Sequence, residues 1–187
     1  LCDQVEDPKL AKGLVKREIT QFVTPGTNTS TSMLDDNQNN YIVSICYIGE
    51  KIGLAVADVT TGDFQLSEVT DLRMLMDELY KFSPSELVCN EAFLLSGIDT
   101  DEIRHRIGCI ISPLAPHYYD DDKCRSTLTK HFKVNSISGL GIEDFAYGVT
   151  AAGALLMYLV QMQKSDLAHF THIYPYISNR YMLIDSS

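Results

Sequence analysis

Between Tyr41 and Phe82 the spacing of apolar residues changes once, and that change limits what the chain can fold into. Tyr41 to Tyr47 (YIVSICY) has few polar positions and predicts a central strand. Gly49-Glu50-Lys51 turns the chain, and Ile52 to Val59 predicts a second, mostly apolar strand. Thr60-Thr61-Gly62 turns it again before a third, alternating run from Phe64 to Val69. Connections this short join antiparallel neighbours, so a three-strand meander is expected. From Asp71 to Phe82 the period becomes helical, with Leu72, Leu75, Met76, Leu79 and Phe82 on one stripe and Asp71 near its start.

The remainder alternates strands and helices. Glu86 to Cys89 is a short strand, Asp99 to Ile107 a short amphipathic helix, and Cys109-Ile110-Ile111 a further strand. Asp120 to Phe132 is expected to be helical. The longest predicted helix runs from Glu143 to Gln163, where Phe145, Val149, Ala152, Leu156, Leu159 and Val160 recur at three- and four-residue steps. Its small stretch Ala151-Ala152-Gly153-Ala154 lets another element approach closely. Three antiparallel strands followed by strand–helix units imply an α/β fold, a mixed five-stranded sheet flanked by helices.

This domain is expected over residues 41–164. Residues 1–26 form a separate piece, with a helix start at Asp7-Pro8, Leu10 and Leu14 on its apolar face, and an alternating strand from Glu18 to Thr24. Residues 27–40 (TNTSTSMLDDNQNN) are polar and predict a linker. Residues 165–187 look like the beginning of a further domain. The chain opens without Met and without a basic leader, which predicts no signal peptide and a piece of a longer protein.

Charge and cysteine content narrow the function classes. The 187 residues carry a formal charge of −10, which argues against tight DNA binding by this stretch alone, since affinity for phosphates is largely electrostatic. From Asp58 to Glu102 the only cations are Arg73 and Lys81, which predicts an acidic surface there. The cysteines Cys2, Cys46, Cys89, Cys109 and Cys124 are odd in number and lack a CxxC pair, as expected of reduced, cytoplasmic core thiols. The most apolar run, Ala151 to Val160, is about half of the ~20 residues needed to cross a bilayer, so no membrane partner is expected.

Motifs for nucleotide or metal chemistry are missing. No GxxxxGK[ST] occurs, and Gly139-Leu140-Gly141 is expected to be the turn before the last helix. His169 with His172, and His105 with Cys109, are pairs without a third ligand, so no metal site is expected. Asp120-Asp121-Asp122 suits a helix first turn, where carboxylates complement the macrodipole. Asp58, Asp63 and Glu68 lie near a turn and are expected to be solvated. Tyr118, Tyr119, Tyr174 and Tyr176 are expected as half-buried core aromatics. The strand and helix order resembles the ribonuclease H-like fold, whose nucleases hold two Mg²⁺ between carboxylates. Tyr41 to Tyr47 contains no carboxylate, and Glu91 and Asp144 near the other two positions lack that central ligand. A divergent metal-dependent nuclease is therefore the alternative reading rather than the favoured one.

Four segments stand out in order along the chain: Cys2-Asp3-Gln4-Val5-Glu6-Asp7-Pro8 with Lys12-Gly13, Arg17 and Val23-Thr24-Pro25-Gly26-Thr27; Asn40-Tyr41 with Gly53-Leu54-Ala55 and Asp58-Val59-Thr60-Thr61-Gly62-Asp63-Phe64; Ala151 to Tyr158; and Leu167-Ala168-His169 with Met182-Leu183-Ile184-Asp185. Together they resemble the bacterial MutS mismatch-recognition family. The resemblance implies the end of a mismatch-binding domain, a ribonuclease H-like connector domain and the start of a core (lever) domain. It implies a homodimeric parent protein that binds mismatched DNA, ATP and Mg. No Phe-x-Glu mismatch-reading motif and no P-loop lie in this chain, so no cofactor and no catalytic residue are expected here. What remains is linkage between neighbouring MutS domains and a surface for a MutL-like partner. Lys12, Lys16 and Arg17 are the implied DNA-backbone contacts, although Gln21 stands where relatives often carry a further basic residue.

Overall fold

The computed structural model describes residues 2–4, 17–19, 40–49, 51–163 and 167–178. Two short strands, β1 (Cys2–Gln4) and β2 (Arg17–Ile19), pair antiparallel with Asp3 opposite Glu18. The expected helix after Asp7-Pro8 and the linker up to residue 39 lie outside the described residues, as does the rest of the strand expected up to Thr24.

The main body is a six-stranded mixed sheet. Its strands are β3 (Tyr41–Tyr47), β4 (Ile52–Asp58), β5 (Phe64–Val69), β6 (Glu86–Cys89), β7 (Ile110–Pro113) and β8 (Tyr174–Pro175), in the spatial order β7-β6-β3-β4-β5-β8. The meander is antiparallel as expected, with Tyr41 opposite Asp58 and Ala57 opposite Phe64. β6 joins β3, β7 joins β6, and β8 joins β5, all parallel. The count of five strands expected from sequence is therefore corrected to six. The missed strand is two residues long and half proline, too short to show a period.

Alternation on the central strands sorts the side chains into two cores. Val43, Ile45, Ile52, Leu54 and Val56 face α1 (Leu72–Phe82), which supplies Leu75 and Leu79. Ile42, Cys46, Ala55 and Ala57 face the other side, where α5 (Ala146–Gln163) supplies Val149, Ala152, Leu155 and Leu159. β4 is thus large on one face and small on the other. A Cβ at Gly53 would overlap the carbonyl of Tyr147 and stand 2.8 Å from the Gly148 nitrogen, so only glycine lets α5 lie this close.

Helix boundaries follow their caps. Asp71 Oδ1 accepts from the Met74 nitrogen at 2.8 Å, opening α1. After β6 come α2 (Glu91–Leu94) and α3 (Thr100–Glu102), the latter widening into a π turn over Ile103–Ile107 that Gly108 ends at φ +76°. A 3₁₀ turn, Pro116–Tyr119, leads to α4 (Asp121–Phe132), capped by Asp120, whose Oδ1 accepts from the Lys123 nitrogen at 3.0 Å. The acidic triplet serves the helix start, as expected. A second 3₁₀ turn, Ile137–Leu140, and Gly141 at φ +68° precede α5. α5 starts three residues later than its apolar pattern suggested, because Ile142 is buried in the core and Phe145 closes a turn on its carbonyl at 3.1 Å. Among the described residues no helix is long and apolar enough to cross a membrane.

Candidate functional site

The segment that leaves the sheet is clasped at both ends. Its centre is Glu78, a carboxylate on the buried stripe of α1 between Leu75 and Leu79 and only 3% exposed. A buried carboxylate is costly unless its oxygens find donors. Tyr176 Oη donates to Glu78 Oε2 at 3.0 Å, Ser178 Oγ donates to Oε1 at 2.8 Å, and Lys81 Nζ approaches Oε2 at 3.3 Å. Two of these partners come from about a hundred residues further along the chain. Lys81 also stands 4.8 Å above the Tyr176 ring and 4.7 Å above Phe82, a cation held over two aromatic faces. Tyr176 meets Phe82 edge-on at 6.0 Å. Burial, then the charge of Glu78, raises the Tyr176 hydroxyl above its ordinary pKa, so it stays a donor.

The backbone completes this end of the clasp. β8 pairs with β5 through Gln65 opposite Tyr174 and Leu66 opposite Pro175. The Tyr176 nitrogen donates to the Leu66 carbonyl at 2.9 Å, and Ser67 Oγ donates to the Tyr176 carbonyl at 2.6 Å. At the other end, His169 Nε2 lies 3.0 Å from the Val59 carbonyl, and Phe170 packs edge-on against Phe64 at 5.7 Å. His131 Nε2 lies 2.9 Å from the Phe170 carbonyl. Gly62, at φ +79°, lets the turn between β4 and β5 pass the His169 carbonyl, which a Cβ there would approach to 2.5 Å.

Two carboxylates expected in solvent are turned inward, a correction with a clear cause. Asp58 is 1% exposed, and its Oδ1 accepts from the Thr60 and Thr61 nitrogens at 2.8 and 3.3 Å, closing the turn that carries His169. Glu68 Oε1 accepts from the Tyr147 nitrogen at 2.8 Å and caps α5 from a neighbouring strand. Glu86 is also buried and accepts from Tyr158 Oη at 2.5 Å and Ser112 Oγ at 3.1 Å. With Glu78, four of the acids between Asp58 and Glu102 are turned into the body of the domain. The acidic surface in that span is built from Asp71, Asp77, Glu91, Asp99 and Asp101 instead.

The other singled-out residues do not converge. Glu91 and Asp144 are exposed, and β3 presents Ser44, not a carboxylate, at its centre. Among the described residues no three His, Cys, Asp or Glu side chains stand close enough to hold a metal. His172 Nδ1 lies 2.8 Å from Thr171 Oγ1, while His105 is exposed and Cys109 buried. Cys46, Cys89, Cys109 and Cys124 are free core thiols, each pushed up to about 12, chiefly by burial. Tyr118 and Tyr119 pack half-buried against the α5 core, and Tyr118 Oη bonds Gln161. Arg17 opens β2 opposite Gln4, whereas Lys12 and Lys16 lie outside the described residues.

Fold and clasp together define a mixed α/β domain that grips its own exit segment, preceded by a small strand pair. Comparison with known proteins places it further. The family model for MutS domain II matches residues 40–173, and that for MutS domain I matches residues 1–32. The DNA mismatch repair protein MutS of Lachnoclostridium phytofermentans is 49% identical over 187 residues, all of this chain and 20% of that protein. Its counterpart in Ruminiclostridium cellulolyticum is 38% identical over 190 residues, covering 100% of this chain and 21% of that protein. That of Symbiobacterium thermophilum is 35% identical over 188 residues, covering 99% and 21%. The chain belongs to the MutS family of DNA mismatch repair proteins, and it spans about a fifth of the length of these relatives. These matches do not favour the nuclease alternative.

Proposed function

We propose that this chain is the connector region of a MutS-type protein and transmits position between a mismatch-binding domain before it and a core domain after it. The observation that carries this is the clasp on Glu78, which fixes the exit segment to both α1 and β5. A relay needs a rigid body and firmly held entry and exit points. In this reading residues 1–26 are the remnant of the mismatch-binding domain, 27–40 a linker, 41–164 the connector and 165–187 the entry to the core domain. The strand order supports a ribonuclease H-like connector: an antiparallel meander extended by two parallel strands on its first strand.

The parent protein binds mismatched DNA and, outside this chain, ATP and Mg. It works as a homodimer in the cytoplasm, on the nucleoid. Lys12, Lys16 and Arg17 contact the DNA backbone, and the connector offers a surface to a MutL-like protein. The test is capture of a MutL-like protein by the purified chain under graded crosslinking. Capture that is lost on a surface substitution but not on a buried one supports the reading; absence of capture under every condition removes the partner from it.

A further inference from the structure

The nine lysines and arginines whose side chains are described between residues 51 and 133 fall into two groups. Lys51, Lys81, Arg104, Arg106 and Arg125 each sit within 4 Å of a carboxylate. Arg73, Lys123, Lys130 and Lys133 make no ion pair among the described residues, and three of these four belong to α4 and its C-terminal cap. Among the described residues, this is where cations without an ion pair gather.

The three lysines line two neighbouring depressions that share Lys130. A groove beside α4 is lined by Lys123, Ser126, Thr127, Lys130 and Met157, with Asp122 its one acid. Lys130 also lines an open cleft of about 390 Å³, shared with Lys133 and Thr171. The other acids of this helix start are engaged: Asp120 caps the Lys123 nitrogen, and Asp121 holds Arg125 at 2.7 Å and Thr150 at 3.1 Å. His131 is turned to the Phe170 carbonyl. Apolar lining is confined to Met157 in the groove and to Ala168, Phe132 and Phe170 in the cleft.

We propose that this face of α4 binds the phosphate backbone of duplex DNA. Lysines with hydroxyls between them are donors suited to phosphate oxygens, and they carry no base code. Lys123 and Lys130 are seven residues apart, about 10.5 Å along the helix, and Lys133 follows at its left-handed C-terminal cap. B-form DNA carries one charge per ~1.7 Å of axis, so phosphates are in reach at any register. An acidic protein surface is the poorer occupant, because protein interfaces are depleted in lysine and centre on aromatic anchors; the groove beside α4 has none, and Phe170 in the cleft is buried in the core. The distant acids are screened beyond the ~8 Å Debye length at physiological salt. The inference rests on the reading that the chain works on DNA, and adds a second contact surface to Lys12, Lys16 and Arg17.

The experiment is a salt titration of the 187-residue chain binding fluorescently labelled matched and singly mismatched duplexes, read by anisotropy from low salt upward. Each phosphate contact contributes about 0.9 to the slope of log K against log salt. The triple variant Lys123→Gln, Lys130→Gln, Lys133→Gln is expected to lose up to about 2.7 in slope, equally on both duplexes. The corresponding triple arginine variant keeps the slope. An unchanged slope in a glutamine variant that melts like wild type overturns the inference. If only Lys12→Gln, Lys16→Gln, Arg17→Gln lowers the slope, the functional reading stands and this surface fails. Loss of MutL-like capture in the α4 triple with the DNA slope intact assigns the face to a protein and also overturns it. A chain that binds neither duplex at low salt overturns it as well, leaving partner capture to judge the functional reading.

Discussion

Replacing Gly153 with alanine sets two physical effects against each other with opposite signs. In a helix interior alanine is favoured over glycine by about 1 kcal/mol, so propensity alone predicts stabilisation. The packing predicts the reverse. A Cβ at Gly153 would stand 2.5 Å from the Cys124 Cα and 2.9 Å from its carbonyl carbon, and closer still to its Cβ. Ordinary contact begins near 3.4 Å and the Cys124 Cβ would stand closest, so α4 must back away from α5 by about 1.1 Å. The obstacle is backbone, which cannot rotate aside as a side chain can. Overpacking costs about 1–3 kcal/mol, and the upper part of that range applies here. Subtracting the propensity gain leaves a net destabilisation of roughly 2 kcal/mol. For a domain of this size that lowers the melting temperature by about 4–8 °C. Thermal and urea unfolding followed by circular dichroism measures it. Cys124→Gly does not rescue the variant, because the Cα and carbonyl carbon remain in place. A Gly153→Ala protein as stable as wild type, or more so, would refute the claim that close approach dictates this glycine.

Three further outcomes test other parts of the structure. Tyr176→Phe removes a donor from buried Glu78 and is expected to cost about 1–3 kcal/mol, with faster proteolysis after residue 170; unchanged cleavage would remove the clasp from the account. Asp71→Ala deletes the α1 cap and is expected to cost about 1 kcal/mol in urea unfolding, while Asp77→Ala on the exposed face costs little; equal effects would deny the cap its role. The four core thiols titrate near 12 when folded and near 9 when unfolded, so between these values the unfolded chain binds fewer protons. Stability is therefore full below about pH 9 and falls as pH rises toward 12, where the raised Tyr176 adds to the loss; a flat urea midpoint across that window contradicts the buried placement.

Local signals made most of the main body legible. The turns at Gly49-Glu50-Lys51 and Thr60-Thr61-Gly62, the single change of period and the caps at Asp71 and Asp120 placed the meander, α1 and α4 nearly residue for residue. Small residues in Ala151 to Ala154 announced the close approach that Gly153 and Cys124 make. Sequence reasoning failed where a residue's partner is distant. Glu78 looked like a surface acid although it lies on the Leu75–Leu79 stripe, a position at which a carboxylate demands donors. That conflict was the available signal. Glu68 looked solvated because the Tyr147 nitrogen that holds it, 79 residues on, carries no sequence mark; Asp58 is the exception, held by the Thr60 and Thr61 nitrogens of its own turn, a local signal that the sequence did carry.

The order of amino acids by itself determined periods, turns, caps and the family, because each depends on neighbours within a few residues or on motifs that keep their order. Tertiary structure alone decided the sixth strand, the inward turn of Glu68, Glu78 and Glu86, and which lysines of α4 stay without an ion pair among the described residues. Those depend on which distant atoms meet. A buried carboxylate and a solvated one are spelled alike, and only the donors that fold brings to it, Tyr176 and Ser178 in the case of Glu78, distinguish them.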